Sequence, residues 1–364
     1  MKTVILKEKS MKKIRVGIIG QGRSGRNIHA NTIINLVKDK FEVAAVCDRI
    51  PERCELSRKE TGCAVYTDYR KMLKDKSLDL IVNASTSEQH VPLTKKILAA
   101  GFNVLTEKPL ARRASEVDTL IKKAAESGKI FAIYQQSRFA PYFTKVREVI
   151  KSGVLGRIVM VKIAFNGFAR RWDWQTLQCM NAGNLRNTGP HPLDQALQLF
   201  GDADPEVFCI MDKANSFGDA EDHVKLILHG KGHPTIDLEI SSCCAYPSYT
   251  YQVYGTNGGL TGDMKHIDWK YFKPEEAPEQ KLITGPLPNL AYCQEQLKWY
   301  PEKWDASPEE VGTFDYMAVR FYSRLYETIV NGAPLAVTQQ EVRRQIAVIE
   351  KCHKQNPMPE LETV

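Results

Sequence analysis

The sequence predicts an α/β chain in two parts. Residues 1–137 read as a doubly wound parallel sheet, and residues 138–364 as an α+β domain on a large open, mostly antiparallel sheet. Three observations predict this. Short β-rich apolar runs alternate with helix-forming segments through the first third, the pattern of strand–helix–strand units with right-handed crossovers. A glycine-rich turn, Gly20-Gln21-Gly22-Arg23-Ser24-Gly25, lies between the first strand and the first helix. Beyond about residue 150 the apolar runs lengthen, alternate, and follow one another mostly without helices between them.

In order, 14–19 (IRVGII) is the first strand, and 25–38 a helix with Ile28, Ile33, Ile34 and Val37 on one face. Strand 42–47 stops at Asp48, and Pro51 opens the next helix. After strand 64–66, Asp68 is the expected N-cap of helix 69–73. Strand 78–83 leads into helix 88–100, which Gly101 ends. Strands 102–106 and 130–134 flank helix 115–127. A helix at 142–152 precedes strands at 157–165, 206–212, 223–228, 235–240 and 249–254, interrupted by helix 192–200. Segment 272–308, rich in Pro, Glu and Trp, reads as a surface excursion before closing helices at 315–331 and 339–354.

The composition narrows the function. A length of 364 residues suits two cores. The net charge of +7 comes from dispersed lysines and arginines, so no nucleic-acid partner is expected, and steering of an anionic ligand is the one use left for it. Nine cysteines without a CxxC pair, and no HExxH, argue for reduced thiols and no metal. Residues 1–13 are basic without a signal-peptide core, and no run nears the roughly 20 apolar residues of a membrane span. A cytoplasmic chain with no membrane partner is expected. Residues 1–12 read as a flexible lead-in, with Met11 an alternative start.

The glycine turn carries chemistry because of its place. Gly20 permits a tight turn, Gly22 lets backbone N–H groups approach a pyrophosphate, and Gly25 lets the helix pack on the sheet. Asp48, at the end of the second strand, would accept from ribose hydroxyls and repel a 2′-phosphate, so NAD is expected. Arg49 keeps NADP as the alternative. The plainer alternative is a tight turn with a solvated acid, at roughly one in ten. Glu107-Lys108-Pro109 ends the fifth strand, where a parallel sheet faces its ligand crevice, and the Lys108–Pro109 bond is expected to be cis. Alone, such a lysine would more often be a surface residue.

IRVGIIGQGRSG, VCD, TDYRKML, His90 with AAGFNVLTEKPLA, QQSRFAP and NTGPHPLDQALQLFG together resemble the Gfo/Idh/MocA oxidoreductases over nearly the whole chain. The pairing of EKP with a downstream GxHxxD is the specific part. The resemblance implies that Lys108 acts at the carbon that gains or loses hydride, with His191 as a second catalytic residue that shares the handling of the proton. The family pattern has an Asp four residues before this histidine, where this chain has Asn187; an amide binds a hydroxyl but cannot take its proton. Asn187, Asp194, Arg171, Trp172 and Arg138 are the expected substrate residues, although an arginine placed like Arg138 is more often a hinge or cofactor-side residue than a substrate ligand. Loop 166–175 suits a carbohydrate ring, with a hydrophobic plug as the even alternative. Cofactor contacts are expected from Gly20, Gly22, Arg23, Ser24, Gly25, Asp48, Arg49, Ser85, Thr86, His90, Glu107, Lys108 and Gln136.

The expected function is NAD(H)-dependent hydride transfer between nicotinamide and a secondary hydroxyl or keto carbon of a sugar, cyclitol or glycoside. A glycosidase or lyase using NAD only transiently, through a keto-sugar intermediate, is the main alternative. A non-enzymatic sugar-sensing regulator is the lesser one. A homodimer or homotetramer through the open sheet is expected, because such a sheet has a face to cover.

Overall fold

A computed structural model describes residues 12–287 and 292–361. The expected lead-in, apart from Lys12, and the alternative start at Met11 lie outside the described residues.

The first sheet holds β1 (Ile14–Ile19), β2 (Phe41–Cys47), β3 (Ala64–Tyr66), β4 (Leu80–Asn83), β5 (Asn103–Thr106) and β6 (Phe131–Ile133) in the order β3-β2-β1-β4-β5-β6. Every neighbouring pair is parallel. Helices cover both faces, so β4 and β6 are buried at every residue, the reason such strands read as unbroken apolar runs. Strand order reverses between β1 and β4, which opens a crevice at their carboxyl ends.

The second sheet has eight strands in the order β14-β13-β12-β11-β7-β10-β9-β8. These are β7 (Ile158–Asn166), β8 (Glu206–Asp212), β9 (His223–His229), β10 (Thr235–Ser241), β11 (Tyr251–Gly255), β12 (Gly258–Gly262), β13 (His266–Tyr271) and β14 (Tyr300–Asp305). Only β7 and β10 run parallel; the other pairs are antiparallel. The sequence reading missed β12–β14, and β14 corrects part of the expected surface excursion. Paired glycines weaken the strand signal in β12, and β14 is a half-exposed edge strand carrying Pro301, a position where proline costs no ladder bond.

Helices Pro190–Phe200 and Gln339–Gln355 close the inner face of this sheet; Leu193, Ile346 and Ile349 share a core with Leu226, Leu238 and Val253. Arg343 pairs with Asp118 on the first unit's Ala114–Ser127 helix at 2.5 Å. Helix Thr313–Asn331 crosses back to the first sheet, where Phe321, Tyr322, Leu325 and Tyr326 pack with Ile14, Val16 and Phe41. No helix among the described residues is long and apolar enough to cross a membrane.

Candidate active site

The glycine turn is built by steric necessity. Gly20 has φ +93°, and a Cβ there would lie 2.2 Å from the Ala84 carbonyl oxygen. A Cβ on Gly25 would lie 1.8 Å from the Gly20 carbonyl oxygen, so this glycine seats the helix rather than facing the crevice. Among the described residues, nothing lies within 4 Å of the Cβ direction of Gly22, which leaves an open lane beside the backbone. The helix starts with a π-wound stretch, Arg23–Ala30.

Asp48 braces this turn as well as ending β2. One carboxylate oxygen accepts Gln21 N–H at 2.7 Å, and the other accepts Ile50 N–H at 2.9 Å. A partly buried anion holding two backbone donors is fixed in direction. Gln21 is locked in turn by Ser57, which donates to its side-chain oxygen at 2.8 Å.

A cavity of about 980 Å³ runs from this turn to the second domain. Asp48, Arg49, Arg53 and Arg70 stand at one end, and Lys108, Gln175, Asn187 and His191 at the other. The Lys108–Pro109 bond is cis. Lys108 Nζ donates to the Asn187 carbonyl at 2.8 Å, with the Asn187 side-chain oxygen at 3.4 Å. Burial lowers the Lys108 ammonium's pKa, and Arg23 and Arg171 push the same way against Glu107. His191 Nδ1 lies 3.0 Å from Ser137 Oγ. Burial, then the charge of Lys108, pushes the imidazole down to about 3, so it is neutral at physiological pH. Burial alone would raise Glu107, yet a hydrogen bond and charge from His29, with Lys108, hold it down at about 2.

The remaining expected residues divide. Arg23, Ser24, Ser85, Thr86, His90, Gln136 and Arg171 line the cavity. His90 ties two of its loops together, its ring nitrogens lying 2.7 Å from the Pro109 oxygen and 3.0 Å from the Ser85 oxygen. Three expected substrate residues are placed elsewhere. Trp172 is 79% exposed, outside the cavity lining, with its ring edge-on to Phe217; Trp174 lines the cavity instead. Arg138 and Asp194 are buried against each other, at 2.6 and 2.5 Å, because neither charge can be buried without its partner. Sequence reasoning missed Ser137, Tyr134 and His29, and included Gln175 in loop 166–175 without singling it out. Only His29 carried a signal, as a polar residue among the apolar positions of its helix. Among the described residues no cluster of His, Cys, Asp or Glu could hold a metal.

Residues 14–135 match the profile described as an oxidoreductase family with an NAD-binding Rossmann fold, and residues 143–261 match the GFO/IDH/MocA C-terminal domain. The chain belongs to the Gfo/Idh/MocA family. As a member it is an NAD(P)-dependent oxidoreductase acting on CH–OH groups. It is 24% identical over 358 residues to the scyllo-inositol 2-dehydrogenase (NADP(+)) IolW of Bacillus subtilis, covering 96% of each chain. It is likewise 24% identical over 261 residues to the 2,7-anhydro-N-acetylneuraminate hydratase of Mediterraneibacter gnavus, covering 70% of this chain and 68% of that one. The WlbA dehydrogenase of Bordetella pertussis, solved with NADH and UDP-GlcNAcA, shares the fold at TM-score 0.76 and 20% identity, with 97% of this chain and 99% of that one covered. The Gfo/Idh/MocA cleft seen here fits a dinucleotide on its own terms. A Cβ would fill the turn at Gly20 and Gly25, and the buried Tyr134 hydroxyl on the cavity wall has no hydrogen-bond partner among the described residues.

Proposed function

We propose that the protein is an NAD(H)-dependent dehydrogenase or reductase of a secondary hydroxyl or keto carbon in a sugar, cyclitol or glycoside. The observation that carries this reading is the Lys108 amine, half-buried at the polar end of the cavity, hydrogen-bonded to Asn187 beside a neutral His191. A bound dinucleotide supplies the hydride acceptor or donor.

Gly20 and Gly22 would admit the phosphates to the open lane, with Arg23 and Ser24 at the helix start. Asp48 presents a fixed anion where a ribose hydroxyl would bind, favouring NAD; Arg49 and Arg53 work against that preference. Lys108 in its amine form takes the hydroxyl proton during oxidation and returns it during reduction. His191, held by Ser137, orients the same oxygen. Asn187, Gln175 and Arg171 supply donors and Trp174 an apolar face, a combination that suits a polyol ring. IolW, whose name specifies scyllo-inositol, agrees with that class.

The transient-redox alternative has one observation in its favour. Asn187 offers an amide where its family has a carboxylate, and the hydratase relative shows that the family includes enzymes without net oxidation in their names. One experiment separates the readings: protein, NAD and a polyol panel, with reduced cofactor followed by absorbance and product by mass spectrometry. Accumulating reduced cofactor supports the dehydrogenase; product without accumulation supports transient redox. No response to any polyol, with either NAD or NADP, sinks both.

The outer face of the second sheet sets Phe208 and Ile210 beside the paired Lys225, Asp237 and Glu239. A second copy covering this face is the expected partner, and light scattering reporting a monomer would refute it.

A further inference from the structure

Beneath Lys108 lies a group of buried polar side chains that the reaction does not itself require. His29 is fully buried on the helix after the glycine turn. Its Nδ1 lies 2.6 Å from the hydroxyl of Tyr322, which is equally buried on the returning helix Thr313–Asn331. Its Nε2 lies 3.1 Å from one Glu107 carboxylate oxygen, and the other oxygen accepts Lys108 N–H at 3.1 Å. The protons can be assigned. Glu107 is ionised and can only accept, so His29 Nε2 carries the hydrogen. Burial raises the Tyr322 pKa, so its hydroxyl keeps its proton and stays within hydrogen-bond reach of Nδ1.

We propose that Tyr322, His29 and Glu107 form a buried positioning chain that fixes one negative charge under Lys108. This deepens the proposed function, since it assigns the chain a purpose through Lys108. The charges around that amine explain why it matters. Arg23 from the glycine turn and Arg171 from the loop after β7 both disfavour the ammonium, as does burial, and His191 is neutral. Glu107 is the acid that opposes them. Around Glu107 itself stand His29, His90 and Lys108, with the Tyr134 ring 4.5 Å from that of His29. A carboxylate in so dry a place keeps its charge only while donors hold it. Without His29 it takes up a proton or turns away, and Lys108 loses its counterweight.

The test needs no turnover. In cofactor-free protein, the rate of Lys108 acetylation by acetic anhydride is followed against pH by peptide mass spectrometry, because only the free amine reacts. Glu107→Gln lowers the midpoint by about one pH unit, the lower end of the effect of an adjacent opposite charge. His29→Leu lowers it in the same direction, whereas His29→Gln, which keeps a donor near Nε2, restores it towards the parent. A residue that only filled space would leave the midpoint where it was. A parental midpoint in folded His29→Leu overturns the proposal. If that variant does not fold, a parental midpoint in Glu107→Gln, or a displaced one in His29→Gln, does the same. A protein that labels as expected but oxidises no polyol would sink the proposed function and leave this chain intact.

Discussion

Asp194→Asn tests whether this acid serves the substrate or the scaffold. Its two oxygens take charge-assisted bonds from Arg138 at 2.5 and 2.6 Å, and both side chains are over 90% buried. Removing one partner of a buried pair typically costs about 3–5 kcal/mol, because the other charge is left uncompensated. Here Glu341 also holds Arg138, at 3.0 Å, but it is half-exposed and shares that oxygen with Gln198 at 2.8 Å. The expected loss is therefore at the lower end, about 3 kcal/mol. Equilibrium urea unfolding followed by tryptophan fluorescence reads it, and steady-state kinetics on the folded variant should give a nearly parental KM. Replacing the pair together, Arg138→Met with Asp194→Leu, should cost less than Asp194→Asn alone, since no charge is stranded. A loss below about 1 kcal/mol with KM raised more than tenfold would refute this reasoning and return Asp194 to the substrate.

Lys108→Met should abolish turnover while leaving dinucleotide binding by calorimetry nearly unchanged; near-normal turnover would remove the lysine from the chemistry. Asp48→Ser should narrow the preference for NAD over NADP by roughly 1–3 kcal/mol, and equal affinities in the parent would show that Arg49 and Arg53 outweigh the acid. Oxidation should rise with pH on a limb set by Lys108, below that of an ordinary lysine. His191 should add no limb between about pH 5 and 8, because its pKa lies near 3. A limb there that disappears in His191→Ala would overturn that assignment. Burial raises the Glu221 carboxyl to about 7 from its ordinary 4.5. Folding thus favours its protonated form, and stability present below pH 4.5 should fall by on the order of 3 kcal/mol as pH rises to about 7. Glu221→Gln should flatten that slope in urea unfolding, and an unchanged slope would exclude Glu221 as its source.

The first sheet was legible because buried parallel strands concentrate apolar β-branched residues into short runs, each ended by a turn or cap. Asp68 does cap its helix, accepting Arg70 N–H at 2.9 Å. The second sheet was legible only where one face is buried, as in β9 and β10, and faded through Gly258–Gly262 and the edge strand at Tyr300. At the site, residues tied to local backbone demands could be read: the glycines, the strand-end acid and the lysine before proline. Arg138, Asp194 and Trp172 could not be placed, because a charged or aromatic residue near a motif does not reveal which way it turns. His29 and Tyr322 stand 293 positions apart, and only the fold brings them together.

That distance bears on how the chain is made. The face of the first sheet that Phe321, Tyr322, Leu325 and Tyr326 cover is complete in sequence by about residue 135, yet its cover is synthesised only after the strands of the second sheet. During translation the early strands therefore wait beside the ribosome with an apolar surface exposed, the circumstance in which nascent chains aggregate or engage chaperones. A fragment ending near residue 137 would keep that surface permanently and should be recovered mainly as inclusion bodies. Supplying residues 313–331 as a separate peptide should return part of it to solution.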